Sequence, residues 1–380
     1  MSFGKPTTMG SAAPADTVLP ADAADTISSV SWSPAANHLA AASWDGKVRI
    51  YDVASGPSAR AAAMLSVDSP VLSCDWAKDG TMVLAGGADK QPHLLHLATG
   101  QQAAIGSHDA PIRSVRFLDT TTLGVSSPAH LFATGSWDKT VKYWDLRQQE
   151  PLATLKCADR VYAMDTKSSL LVIATAERKI HLVDLRNPSV FLRTSDSPLK
   201  HQTRAVSVFP DGRGWATTSI EGRCGINAVD EPRDGKITNF TFRCHRSAPD
   251  YKKTTKVYAV NDVQFHPVHT ATFVTAGSDG SFHFWDRVTH TRYKPYEPPA
   301  AAMAAAATST LANKGGRSSS DSDSARAAIT TTAFNRDGSL FAYAVGYDWS
   351  KGHAANLPDY PNRLVLHSVT DEDVKPRGRK

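Results

Sequence analysis

An all-β fold, a closed ring of seven four-stranded blades, is what this sequence predicts, and three observations carry the prediction. Three stretches are near copies of one another: SWDGKVRIYD (Ser43 to Asp52), SWDKTVKYWD (Ser136 to Asp145) and SDGSFHFWD (Ser278 to Asp286). Each reads as a tight turn opening on Asp, then a strand of alternating residues that closes on an aromatic-Asp pair. Between and beyond the copies lie weaker segments with the same order of strands and turns. The composition, 41% apolar and 21% charged, is that of an ordinary soluble globular protein. Repeats with this signature are WD repeats. Such blades pack mainly on their neighbours in a seven-bladed β-propeller, so 380 residues fit one domain.

Taken in chain order, blade one reads as ISSVSWSP (Ile27 to Pro34), HLAAAS (His38 to Ser43), the turn Trp44-Asp45-Gly46 and KVRIYD. Blade two has VLSCDWAKDG (Val71 to Gly80), MVLAGGADK and a degenerate third strand in HLLHLATG (His93 to Gly100). Blade three opens on His108-Asp109, a pair that in such repeats tethers a blade to the turn of its own sheet, and closes on Trp144-Asp145. Blade four spans Val161 to Arg186, blade five Ala205 to Val229 with FTFRCHR (Phe240 to Arg246), and blade six Val260 to Asp286. Blade seven, from Thr330 to Gly346 and Arg363 to Val369, lacks a fourth strand in chain order. The short β-prone DTVLP (Asp16 to Pro20) is left to supply it from the N-terminus, which closes the ring and removes both sheet edges.

Residues 1–15 read as a disordered tail, 16–370 as the propeller and 371–380 as a small basic C-terminal tail. Residues 300–328, Ala-rich then Ser/Asp-rich, read as a low-complexity insertion between blades six and seven, whose SSSDSDS run is a candidate for phosphorylation. Cys74, Cys157, Cys224 and Cys244 fall in different repeats with no CxxC spacing. They read as reduced, mostly buried thiols of a cytosolic or nuclear protein. No stretch has the apolar core of a signal peptide or the roughly 18 apolar residues of a membrane span, so the chain reads as soluble and not secreted.

Catalysis finds no constellation to stand on. There is no GxSxG elbow or P-loop, and no paired carboxylates beyond those the repeat uses. His93/His96 and His266/His269 lack a helical metal-binding face, and His108 and His201 read as structural. No cofactor, metal or catalytic residue is expected. The functional residues are sought on the rim shared by the second-to-third-strand turns and the connections into the next blade. That rim carries Trp44, Trp137, Arg178, Arg223, His245, Arg246, Lys252, Lys253 and Lys256, while the opposite rim reads as poorer in aromatic and basic groups. Trp44 and Trp137 precede the turn Asp, a position many repeats fill with Ser or His. Either each indole packs over its own blade, or it anchors a peptide. The cations, clustered where blades five and six meet, either form a solvated rim or attract an acidic peptide or a phosphodiester backbone.

One resemblance is specific. EGRCGI (Glu221 to Ile226), FTFRCHR, VYAVNDVQFHPVHTATFVTAGSDGSFHFWD (Val257 to Asp286), GYDWSKGH (Gly346 to His353) and VKPR (Val374 to Arg377) resemble the nuclear-pore mRNA-export WD-repeat factor family, over roughly Asp16 to Arg377. A close paralogue, the mitotic-checkpoint WD-repeat protein that binds checkpoint kinases, shares part of these segments, and the YDWSKGH run favours the export factor. The resemblance implies a non-enzymatic adaptor at the nuclear pore that holds a GLEBS hairpin of a GLFG-repeat nucleoporin across the top rim. On this sequence it makes Arg223 and Arg246 carboxylate partners and Trp44 and Trp137 apolar contacts. It also implies RNA binding on a basic surface, for which Arg178, Lys252, Lys253 and Lys256 are the candidates. The alternatives are the checkpoint role, with kinases as partners, and a propeller that is chiefly a binder of single-stranded RNA. The insertion after blade six and HAANLPDYPN (His353 to Asn362) depart from the family pattern.

Overall fold

The computed structural model describes residues 16–20, 23–53, 59–121, 123, 130–230, 239–297, 327–356 and 360–375. The expected N-terminal tail, nearly all of the low-complexity insertion with its Ser/Asp run, and the end of the basic tail lie outside these residues. The described chain forms seven antiparallel sheets of four strands each. Blade one shows the plan: an innermost strand Ile27–Trp32, then His38–Ser43 and Lys47–Asp52, and an outer strand Arg60–Ser66. Six blades follow chain order.

The seventh is closed by the N-terminus, as the sequence predicts. Thr17–Val18 pairs with Arg363–Ser368, Thr17 opposite Leu366 and Val18 opposite Val365. The Leu19 N–H extends the ladder to the Leu364 carbonyl at 2.8 Å. Asp16 anchors the strand by accepting from the Tyr343 hydroxyl at 2.6 Å and from His367 Nδ1 at 2.7 Å. The N-terminal strand and the last strands of the chain thereby share one sheet, and the ring has no open seam.

The apolar core lies between blades, not within them. Among the described residues seven buried clusters occur, one at each seam. At the first seam Val48, Ile50 and Leu65 of blade one meet Trp76, Val83 and Leu95 of blade two. This placement explains the small residues of the second strands. His38–Ser43, Leu131–Ser136 and Thr272–Gly277 are buried almost throughout because each sheet is covered on both faces. A Cβ on Gly86 would stand 2.7 Å from Ile112 and 2.8 Å from Val115 of the next blade, so only glycine allows that approach.

The outer strands are the part the sequence conceals. Gln102–Ala104 is exposed at all three residues, Arg60–Ser66 mostly so, and Ala153–Lys156 at Thr154 and Lys156. They are held by backbone pairing at the ring's periphery and need no apolar alternation. The degenerate third strand of blade two is Pro92–His96. Beyond blade seven, Asp371–Val374 forms a helical turn whose Val374 joins the core between blades six and seven. The Thr272 hydroxyl donates to the Val374 carbonyl at 3.0 Å, so chain packed on the ring continues past residue 370. All four cysteines are free and buried.

Candidate partner-binding rim

The turn between second and third strands is built alike in every blade. An acidic residue is followed by one in the left-handed backbone region: Gly46 (φ 79°), Lys90 (φ 72°), Lys139 (φ 69°), Arg178 (φ 64°), Gly222 (φ 61°), Gly280 (φ 71°) and Trp349 (φ 61°). The acidic side chain caps the turn: Asp45, Asp138 and Asp279 accept backbone N–H groups two residues on, at 3.1, 2.9 and 3.1 Å. In blades three and six the same carboxylate also orders a buried chain of polar groups. His108 reaches Asp138 at 2.7 Å and the Thr134 hydroxyl at 2.7 Å, and Trp144 Nε1 donates to that hydroxyl at 2.8 Å. The tether expected of His108 is therefore present.

His245 makes the equivalent set, 2.9 Å to Asp279 and 2.9 Å to Thr275, with Trp285 Nε1 completing it at 2.9 Å. Its ring is buried. His245 thus holds blade six together from the interior. Burial alone would raise the Asp279 pKa, but the hydrogen bond and charge of His245 hold it below the ordinary carboxylate value. His201 differs in the other direction. Its side chain is exposed and lies 3.5 Å from Glu221, so it belongs to the rim surface, not to the interior.

Arg223 and Arg246 are brought together, and the residue between them is Glu221. Arg223 Nε donates to Glu221 Oε1 at 3.2 Å, and Arg246 Nη2 approaches the same oxygen at 3.8 Å. Arg246 is fixed independently of that carboxylate, donating to the Glu221 carbonyl at 2.9 Å and the Gly222 carbonyl at 3.4 Å. Gly222 makes the approach possible, since a Cβ there would stand 2.8 Å from the Cys244 carbonyl and 3.0 Å from that of Tyr258. The second Glu221 oxygen is buried without a hydrogen bond. Arg178 lies one blade away, in an exposed turn, with its guanidinium 3.5 Å from the Leu199 carbonyl. Leu199 precedes His201 in the same connection, so Arg178, His201, Arg223 and Arg246 form a continuous strip over blades four and five.

Lys252, Lys253 and Lys256 project on one closed excursion beyond that strip. Arg246 and Val257 form an isolated antiparallel bridge at its base, and Asp250 caps its tip by accepting from the N–H groups of Lys252 and Thr254, both at 2.8 Å. Tyr251 at the tip is 90% exposed, and the Lys252 ammonium lies 5.4 Å from its ring centroid. Sequence reasoning missed the groove below the excursion. Arg243, Arg246 and Arg292 line a cavity of about 360 Å³ with Tyr258, His283 and Trp285. Arg292 sits on an exposed outer strand of blade six, far from Arg243 in sequence, so no local motif joins them.

The two tryptophans part company. Trp137 is 37% exposed, with no aromatic ring stacked on it among the described residues. Trp44 is half-buried and stacks on Trp349 of blade seven, ring centroids 4.3 Å apart and planes 22° apart. Its packing partner is thus the neighbouring blade, and Trp349 is itself unusual: a bulky residue at positive φ whose Nε1 is buried without a hydrogen-bond partner. The opposite rim is not poor in cations. Arg147, Arg186 and Arg287 lie there, but Arg147 and Arg186 clamp Asp145 and Asp184 of their own blades at 2.5 and 2.7 Å, and Arg287 lies over Phe209 at 4.4 Å.

Fold and rim together define a WD-repeat propeller with one cation- and aromatic-lined face. The sequence model for the WD domain, G-beta repeat, matches residues 17–52, 64–94, 100–145 and 240–286. Over 93% of its length the chain is 48% identical to the WD40 repeat protein poxJ of Penicillium oxalicum, of which it covers 93%. It is 43% identical to the mRNA export factor GLE2 of Chaetomium thermophilum over 93% of this chain and 90% of that protein. With the poly(A)+ RNA export protein of Schizosaccharomyces pombe it shares 42% identity over 94% of this chain and 91% of the other. The chain belongs to the Rae1/Gle2 family of WD-repeat mRNA export factors.

Proposed function

We propose that this protein is a non-enzymatic adaptor of the nuclear pore, acting in mRNA export by holding the acidic GLEBS hairpin of a GLFG-repeat nucleoporin across its top rim. The observation that carries the reading is the convergence of Arg223 and Arg246 on a single carboxylate, Glu221. A site that already organises two guanidiniums around one internal carboxylate is arranged for glutamates of a partner, which would complete the bidentate contacts that Glu221 makes only in part. Trp137 supplies an exposed apolar anchor, and Trp44 a half-buried one. The kinship with mRNA export factors supports a role in transport between nucleus and cytoplasm, and with it a location at the nuclear envelope. Charge reversal by Arg223→Glu with Arg246→Glu is expected to abolish hairpin binding in calorimetry while the circular dichroism of the ring is kept. Retained affinity in a folded double variant would overturn the site.

A second contact, to single-stranded RNA, is favoured by the excursion bearing Lys252, Lys253 and Lys256, by Arg178, and by the cationic groove with its aromatic wall. Backbone phosphates would be met by the cations, and bases by Tyr251, Tyr258 or Trp285. Replacing the three lysines by Ala is expected to weaken binding of an oligouridylate. It should also make the dependence of log affinity on log salt less steep by about two, the value for three lost phosphate contacts on a single strand. An unchanged slope would remove the excursion from the RNA path.

A further inference from the structure

The axial channel holds a feature that the rim does not use. In all seven blades the register of the innermost strand slips near its start, between Ile27 and Ser29, Val71 and Ser73, Ile112 and Ser114, Val161 and Ala163, Thr203 and Val206, Val260 and Asp262, and Ile329 and Thr331. Each slip takes one residue, or in blade five the two residues Arg204 and Ala205, out of the ladder and re-aims a side chain. Three of these stitch neighbouring blades together. Ser28 Oγ donates to the Val71 carbonyl at 2.6 Å, Asn261 Nδ2 to that of Ile329 at 2.9 Å, and Thr330 Oγ1 to that of Ile27 at 2.7 Å.

Two others, Arg113 and Arg204, are cations facing the same cavity of about 480 Å³. Among the described residues neither has a carboxylate within salt-bridge distance. Arg113 reaches only the Leu72 carbonyl, at 3.4 Å, and Arg204 donates to Asn261 Oδ1 at 2.8 Å. The carboxylates nearby are committed elsewhere. Asp165 pairs with Arg116 at 3.1 Å and takes the Val208 N–H at 2.8 Å. Asp75 takes the Phe117 N–H at 2.8 Å, and Asp262 that of Thr332 at 2.6 Å. Asp348, whose charge Arg204 feels, accepts from Ser278 and from the Ser350 N–H. Burial, followed by the fields of Arg204 and Arg116, brings the Arg113 pKa down to about 10. Lys78, Lys167 and Arg336 add further cations to the channel wall.

We propose that the axial channel is a binding site for a small phosphorylated molecule, its phosphate oxygens held between Arg113 and Arg204. The volume lies within the range of small-ligand sites, and a phosphate accepts the paired N–H groups that each guanidinium now leaves unmatched. The purified full chain is titrated with inorganic pyrophosphate in a thermal-shift and calorimetric experiment, against sodium chloride at matched ionic strength. Pyrophosphate should raise the melting temperature of the wild type and leave the double variant Arg113→Gln, Arg204→Gln unmoved. Arg113→Lys, which keeps the charge and loses the fork, should weaken binding about tenfold. The rim variant Arg223→Glu, Arg246→Glu should respond as the wild type does. Should the double variant fail to fold, the Lys variant and the rim variant decide the matter. Equal responses in wild type and Arg113→Lys, loss of the response in the rim variant, or no response beyond that of sodium chloride in the wild type would each overturn the proposal.

Discussion

At the scale of single residues, Trp44 and Trp137 occupy the same place in their repeats and do different work. Trp137 is 37% exposed with no ring stacked on it among the described residues, whereas Trp44 is stacked on Trp349. Trp137→Ala is therefore expected to change stability by no more than about 0.5 kcal/mol. Hairpin affinity should fall at least about fivefold, as for an exposed aromatic anchor. Trp44→Ala should cost about 1–2 kcal/mol through the lost stack. Chemical denaturation and calorimetry on the two variants check both, and a destabilised Trp137→Ala or a stability-neutral Trp44→Ala would contradict the assignment. The sequence shows the two indoles as equals because the ring opposite Trp44 comes from a turn some 300 residues away. Glu221 is hidden for a similar reason. An acid inside a cationic sector reads as an interruption, and only the fold shows Arg246, just past the outer strand of the same blade, reaching back to it.

At the scale of elements, the closing strand is the segment on which the ring depends, and it carries its own pH response. Burial works against a charge on His367, but its hydrogen bond to Asp16 and the nearby carboxylate of Asp373, 3.7 Å from Nε2, prevail and bring its pKa up to about 9. A folded pKa above the unfolded value of about 6.5 means that the folded state holds the proton more tightly. The stability this adds is fully present below about pH 6.5 and is lost as pH rises through about 9, and a shift of this size corresponds to roughly 3 kcal/mol. Melting temperature should thus fall across that window in the wild type more steeply than in His367→Gln; parallel curves would show that the pair of aspartates does not hold the proton. The closing strand itself is legible in the sequence, since blade seven lacks a fourth strand and DTVLP has no other sheet to join. Its latch is not, because Asp16 and His367 stand at opposite ends of the chain. The outer strands escape detection for a different reason. Gln102–Ala104 has both faces in solvent, so no alternation marks it.

At the scale of the whole molecule, seven similar blades leave two unlike faces. On the bottom rim Arg147 pairs with Asp145 and Arg186 with Asp184, each within its own blade. On the top rim Arg178, Arg223 and Arg246 lie in one strip, with the lysine excursion beyond them and the Trp44–Trp349 stack across the ring. The symmetry of the repeat accounts for the architecture, and the departures from it account for the docking face: Glu221-Gly222 in blade five, Asp348-Trp349 in blade seven and the excursion before blade six. The most direct test is amide hydrogen exchange of the full chain with and without a GLEBS peptide. The account predicts protection at the top-rim turns around Trp44, Trp137, Glu221 to Arg223 and Arg246 to Val257, with none at the bottom turns Lys78 to Gly80 and Pro210 to Gly212. Protection at the bottom turns, or a bound peptide that leaves the segment from Glu221 to Val257 unprotected, would contradict it.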